Sequence, residues 1–231
     1  MNISWFVEQW NSTFIVANRY KLFLEGFYNT LIIAVGAVAI GIVIGAIVAM
    51  VRVYRAQTGK LKLLDGILSW YLALFRGTPV VVQLMIMYYI VMRNVHNGVL
   101  VATLAFGINS GAYVAEIFRA GILSIDIGQT EAGRSLGLSA FKTLTLIVLP
   151  QAIKNILPTL GNEFVLLLKE TSVAGYISVR DLAKAGALVR ANTAEPYFSL
   201  LFIALVYFLL VLGLTRLFKI VERRFAKSDR G

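Results

Sequence analysis

Apolar and polar positions fall into blocks along this chain. No charged residue occurs between Leu31 and Val51, and the apolar block around it, about Phe23 to Val51, is long enough for a helix that crosses a bilayer. Ala37, Gly41, Gly45 and Ala49 recur every four residues in this block. Such a stripe of small side chains lets another helix approach closely, and general helix packing is its expected use. Residues 61–75 form an amphipathic, aromatic-rich segment, and Arg76-Gly77-Thr78-Pro79 then breaks the helix. Val80 to Met92 is apolar but short for a span, so the second span recruits residues before Arg76 or tilts. A third span is expected over about Val99 to Phe118. A fourth follows Pro150 and is interrupted by Pro158 and Gly161, and a fifth covers Tyr197 to Ile220.

The flanks complete the pattern. In residues 1–20, Phe6, Trp10 and Phe14 lie four apart, so one helical face is aromatic. Either an interfacial helix lying on the outer membrane surface or an unstructured tail accommodates this. The segment carries Glu8 and lacks a basic start and a compact apolar run, so no cleaved signal is expected. Residues 180–196 are polar and helix-prone and are expected on the outer side of the membrane. Arg52, Arg55, Lys60 and Lys62 follow the first span at once, which places that end in the cytoplasm and the N-terminus outside. Arg216, Lys219 and the basic tail after Ile220 place the C-terminus inside. The fold class is therefore all-α: a polytopic membrane protein with about five transmembrane helices, residues 1–231 forming a single transmembrane domain.

Composition agrees with this pattern. Of the 231 residues, 58% are hydrophobic and 15% charged, against about 25% charged in soluble domains. The mean hydropathy is +0.77. The net charge of +10 would suggest nucleic acid in a soluble protein. Here the basic residues cluster at the ends of apolar blocks, where positive-inside topology and anionic lipid explain them and no nucleic-acid partner is implied. Cysteine is absent, and the one histidine, His96, sits in a short loop, so no metal site is expected. Neither a G-x-x-x-x-G-K-[ST] run nor a Ser/His/Asp set is present, so no catalytic residue is assigned and the chain is not read as an enzyme.

The longest polar interruption between apolar blocks is residues 121–150, which end on EAGRSLGLSAFKTLTLIVLP, Glu131 to Pro150. Glu131 to Leu136 can form a helical turn, Gly137 can supply the positive φ that ends it, and Ser139 can cap a second helix. Pro150 is expected to mark a bend into the next block. This stretch resembles the EAA loop of ABC importer permeases: E-A-A, three residues, G, nine residues, I-x-L-P. Gly133 stands where the pattern has its third alanine. The runs RGTPVVVQL (76–84) and LPTLGNEFVLLLKETS (157–172) resemble segments of the polar amino-acid uptake branch of that family, and the likeness spans about Phe27 to Arg224.

The resemblance implies the transmembrane subunit of an ATP-driven importer for a polar amino acid in a prokaryotic inner membrane. It implies alternating access coupled to a separate cytoplasmic ATPase that binds ATP and Mg, a second permease copy and an extracellular amino-acid-binding protein. Glu131, Ala132, Gly133, Arg134 and Gly137 would then form the ATPase-coupling surface. Candidate substrate-path residues are the mid-span Asn109, Ser110, Asn162 and Glu163, since polar groups at that depth face protein or water. Asn109 and Ser110 suit helix–helix hydrogen bonding equally well. Glu163 suits a structural pair with Lys169 or Lys154 as well as a ligand contact. Glu116 and Arg119 are spaced for an ion pair. A secondary transporter driven by an ion gradient is the alternative, with Glu163 as its titrating group, although five spans without an internal repeat fit it poorly.

Overall fold

The computed structural model describes residues 3–227, so Met1, Asn2 and residues 228–231 of the basic tail lie outside the described residues. All regular structure in it is helical. Its longest element, α2 (Tyr20–Thr58), has 39 residues and ends where Gly59, at φ +70°, returns its N–H to Arg55 O. At 1.5 Å per residue it is about 58 Å long, well beyond the ~30 Å hydrocarbon layer. The small stripe on α2 meets α5 (Gly98–Leu123). A Cβ on Gly41 would stand 2.8 Å from Ser110 Oγ, and one on Gly45 2.5 Å from Val114 Cγ1. The stripe therefore has the packing role expected of it, with α5 as its partner. Asn97 caps α5 by accepting from Leu100 N at 3.0 Å.

Between these two helices the chain bends. The amphipathic α3 (Lys62–Gly77) and α4 (Val80–Ile86), which a π turn extends over Met87–Val91, meet at 111°. The break falls at Thr78-Pro79, as expected from proline's missing N–H and the extended residue it forces before it. A bend this sharp means that α3 does not lengthen α4 in line. Gln83 Nε2 donates to Phe75 O and Thr78 O, each at 3.0 Å, and to Thr78 Oγ1 at 2.7 Å. These bonds satisfy acceptors that the break would leave bare. Among the described residues, four helices are long and apolar enough to cross a bilayer, and the bent pair makes up to five.

After α5 come the short helices α6 (Ile127–Ser135) and α7 (Ala140–Thr143), then a π turn over Leu144–Val148 and α8 (Leu149–Glu170). The bend expected at Pro150 is not seen as a break: helical backbone runs from Ala140 through the π turn and past Pro150, which sits in the first turn of α8 where its missing N–H costs nothing. The interruption expected at Pro158 and Gly161 is absent, because α8 runs through both. Prolines are tolerated inside membrane helices when the surroundings hold the axis. Gly161 serves as a notch: a Cβ there would lie 2.9 Å from Cγ of Phe218 on α10 (Pro196–Lys227).

Residues 171–177 form 3₁₀ turns, and α9 (Leu182–Thr193) follows. The 180–196 segment is helical as expected but is not polar all round: Leu182, Ala185, Gly186 and Val189 are buried. They pack with Phe14 and Phe23, with Phe202 and Ile203 of α10 alongside. The N-terminal α1 (Ile3–Trp10) is a helix, and the aromatic face expected there continues through a π turn at Asn11–Ile15. That face rests on protein at Phe14, while Phe6 and Trp10 stay half exposed. Phe6 meets Phe198 edge-on at 4.8 Å, and Phe14 is buried between Phe23 and Phe202 at 5.5 and 4.9 Å.

Asp181 caps α9 from a fully buried position, accepting from Ala183 N at 2.9 Å and Lys184 N at 3.1 Å. Burial pushes its carboxyl from 3.8 up to about 6, and these two hydrogen bonds and Lys184 act against that rise. A carboxyl whose pKa is higher folded than unfolded loses stability as pH rises from the unfolded to the folded value, here between about 4 and 6. Acidification from pH 7.5 to 5 should therefore raise the melting temperature of the wild type relative to Asp181→Asn. The differential stability should be on the order of 1 kcal/mol. Equal pH responses in the two proteins would show that this carboxyl does not titrate in that window.

Candidate functional site

Two features emerge from this scaffold, a hairpin and a polar cavity. The hairpin is built from local turn chemistry. Asp126 starts α6 by accepting from Gly128 N at 2.7 Å. Gly137, at φ +81°, ends it with two bonds, Leu138 N to Gly133 O at 3.1 Å and Gly137 N to Arg134 O at 3.0 Å. This left-handed closure satisfies carbonyls at a helix C-terminus. Ser139 then caps α7, accepting from Lys142 N at 3.3 Å. The turn, the glycine and the cap all stand where the sequence places them.

Gly133 has a physical reason to be glycine. A Cβ there would lie 2.7 Å from Thr143 Cγ2 and 2.9 Å from Ile147 Cδ1. The two arms of the hairpin therefore touch at this point, closer than an alanine permits without a shift. Glu131, Ala132 and Arg134 face outward. Arg134 also donates to Leu138 O at 2.9 Å, which braces the turn. Leu136 and Phe141 stand out from the same hairpin, 82% and 64% exposed. The sequence reading passed over both; two large apolar residues flanking a turn glycine in a polar stretch were the available signal. The hairpin root is anchored to the bundle. Leu144 and Val148 pack with Val53 and Ile122, and Asn155 Nδ2 donates to Ser124 Oγ at 2.8 Å.

Above that root lies a cavity of about 620 Å³ between α5, α8 and the bend after α3. Arg76, Tyr113, Glu116, Asn155, Thr159 and Glu163 give it its polar lining. Glu163 accepts from Ser110 Oγ at 3.1 Å, so these two predicted residues meet. The Arg76 guanidinium lies 5.8 Å from the Tyr113 ring centre. Glu116 makes its expected pair with Arg119 at 2.8 Å and also receives Arg52 at 3.1 Å, with Arg76 at 4.0 Å. Glu116 is thereby held by other protein charges, whereas the bond to Glu163 comes from a neutral hydroxyl.

The other two predicted path residues lie elsewhere. Asn109 is buried and donates to Phe75 O at 3.2 Å and to Gln83 Oε1 at 2.8 Å. It thus holds the bend, the helix–helix role that its sequence context left open. Asn162 is exposed, outside the set that lines the cavity. Asn155, Thr159 and Glu163 recur every four residues and share one face of α8, a spacing visible in the sequence and not used there.

The chain matches the family described as the inner membrane component of binding-protein-dependent transport systems over residues 37–227. The arginine transport system permease protein ArtQ of Bacillus subtilis is 36% identical over 209 residues, 89% of this chain and 93% of that one. A Rickettsia conorii protein named for glutamine transport, GlnP, is 36% identical over 204 residues, 87% and 91% of the two chains. Among solved structures, an amino acid ABC transporter crystallised with histidines superimposes with a TM-score of 0.82 at 36% identity, covering 90% of this chain and 96% of the other. The inward-facing MetNI methionine ABC transporter shares the fold, with a TM-score of 0.77 at 20% identity over 88% and 96% of the chains. With its helical bundle, its hairpin and a match running from Ala37 to the end of α10, this chain belongs to the family of inner membrane components of binding-protein-dependent transport systems.

Proposed function

We propose that this chain is the membrane-spanning subunit of an ATP-driven importer of a polar amino acid. The observation that carries the reading is the cavity, which offers one guanidinium, Arg76, and one hydroxyl-bonded carboxylate, Glu163, to the same space. A zwitterion brings a carboxylate and an ammonium, and those two side chains complement it. Glu163 receives the α-ammonium or a cationic side chain, and Arg76 receives the α-carboxylate. The similarity to permeases named for arginine and glutamine transport supports an amino-acid substrate. It also speaks against the ion-gradient alternative.

Coupling runs through the hairpin. Glu131, Ala132, Gly133, Arg134 and Gly137, together with the exposed Leu136 and Phe141, form a surface for a cytoplasmic ATPase that binds ATP and Mg. A second permease copy and an extracellular amino-acid-binding protein complete the assembly. Closure of the ATPase moves the hairpin. The rigid hairpin root passes that motion to α5 and α8, and the cavity opens to alternate sides. Such coupling requires that nucleotide bind the two states with different affinity. The chain sits in a prokaryotic inner membrane with its N-terminus outside and its C-terminus inside.

Three outcomes test this. Glu131→Lys, or Gly137→Val at the positive-φ position, should leave the protein in the membrane yet reduce binding-protein-stimulated ATP hydrolysis about tenfold or more; the strain at position 137 alone is about 1–2 kcal/mol. Unchanged stimulation in both variants would detach the hairpin from coupling. Because the chain has no native cysteine, a single thiol reports topology. Cysteine at His96 should react with an impermeant reagent in intact cells, and cysteine at Leu136 only after lysis; the reverse result would put the hairpin out of an ATPase's reach. Finally, Glu163→Gln keeps shape and removes charge. In proteoliposomes, uptake of the transported amino acid should fall about tenfold or more while basal ATP hydrolysis and melting temperature stay near wild type. Full uptake of every amino acid tested would remove Glu163 from the path, and an unfolded variant would assign it to the Ser110 contact instead.

A further inference from the structure

Three arginines converge on one carboxylate beside the polar cavity, and two of them bond it. Glu116 Oε2 accepts from Arg119 Nε at 3.1 Å and Nη2 at 2.8 Å, and Glu116 Oε1 accepts from Arg52 Nη1 at 3.1 Å. Arg76 Nη1 stands 4.0 Å from Oε2, beyond hydrogen-bond reach. The same guanidinium lies 5.8 Å from the Tyr113 ring centre. Attraction without a hydrogen bond thus holds Arg76 at the cavity wall, and its side chain stays 45% exposed.

Glu116 is a poor receiver for a ligand ammonium, because Arg52 and Arg119 already occupy both its oxygens. What it offers Arg76 is the charge that those two leave uncompensated. Arg119 belongs to the same helix, three residues on. Arg52 comes from α2 and divides its guanidinium between Glu116 and Asp65, the latter at 3.3 Å. Asp65 lies in the first turn of α3 and Arg76 in its last. Both ends of α3 are therefore tied to the Arg52–Glu116 pair.

We propose that Glu116 is a positioning residue for the substrate: it holds Arg76 at the cavity wall and competes with the substrate α-carboxylate for it, while Arg52 and Arg119 set the strength of that competition. This rests on the reading above that Arg76 receives the α-carboxylate. In the empty cavity Arg76 is drawn to Glu116. A bound carboxylate forms with Arg76 the charge-assisted hydrogen bond that a separation of 4.0 Å denies to Glu116. Weaker neutralisation of Glu116 pulls Arg76 back and loosens the substrate. Stronger neutralisation releases Arg76 and tightens it. Affinity is tuned in this way from α2 and α5 without a change in the groups that touch the substrate.

The test measures equilibrium binding to the purified full chain with its co-purifying subunits in nanodiscs, with no binding protein added. The probe is L-arginine or L-glutamine, whichever the wild type binds more tightly, beside its α-amide, which keeps the ammonium and the side chain and lacks the carboxylate charge. The readout is the ratio of acid affinity to amide affinity; a purely structural defect moves both affinities together and leaves the ratio unchanged. Glu116→Gln should raise the ratio about fivefold, which is ~1 kcal/mol, the upper range for a partly exposed ion pair. Arg119→Gln should lower it by a similar factor, and it carries the test should Glu116→Gln fail to fold. In an Arg76→Gln background neither change should move the ratio, since the coupling passes through Arg76. A ratio that moves as much with Arg76 replaced would overturn the proposal in favour of the general field of the cavity, and an unchanged ratio in both single variants would overturn it outright. Acid and amide bound equally by the wild type would instead overturn the reading of Arg76 as the carboxylate partner.

Discussion

The close approach of α2 and α5 is the constraint on which the rest depends. Gly41 and Gly45 on one side and Gly111 on the other bring the backbones together; a Cβ on Gly111 would stand 2.8 Å from Ile44 Cγ2. In a bilayer no hydrophobic drive separates helix from lipid, so association rests on van der Waals fit and on polar contacts between helices. Fit at these glycines fixes the axial register of α5. That register sets Ser110 opposite Glu163 of α8 and Glu116 beside Arg52 of α2. A larger side chain in the seam would displace the cavity and the arginine network together, because both hang on one helix.

The bend in the second span is the next constraint, and it is held by polar groups. Breaking a helix at Thr78-Pro79 leaves carbonyls without partners, a cost of order a few kcal/mol each in hydrocarbon. Gln83 and Asn109 offset it by donating to Phe75 O and Thr78 O and by bonding each other. Arg76 sits within this closed set, one residue from a stapled carbonyl. Its position in the cavity is therefore a property of the bend, not of a flexible side chain reaching from a loop.

Local chemistry was legible in the sequence and non-local chemistry was not. Gly137, Ser139 and the break at Pro79 act through residues within four positions of themselves, and all three appear in the structure as the sequence implied. Pro158 misled for the complementary reason: its propensity to break a helix is local, but the packing that keeps α8 whole comes from other helices. The α9 face at positions 182, 185, 186 and 189 follows helical spacing, but what it packs against, Phe14, Phe23 and Phe202, comes from distant parts of the chain. Arg52 and Glu116 are 64 residues apart, and no spacing rule links them. Asn109 and Ser110 are neighbours that diverge by about 100° around a helix, so only the packing of α5 could tell the staple from the residue beside the cavity.

Glu116 ties the polar cavity to the charge network at the hairpin end of the bundle. It belongs both to the lining of that cavity and to the ion pairs with Arg52 of α2 and Arg119 of α5. Held by Arg52 and Arg119, it keeps its own charge neutralised and draws Arg76 to 4.0 Å. Any motion of α2 or α5 that lengthens the Arg52 contact would leave Glu116 less neutralised and pull Arg76 more strongly toward it, away from the space it shares with Glu163. The charge presented to the polar cavity is thus mechanically tied to the helix ends at the hairpin. In the coupling proposed above, movement of the hairpin root would change the electrostatics of the cavity as well as its shape.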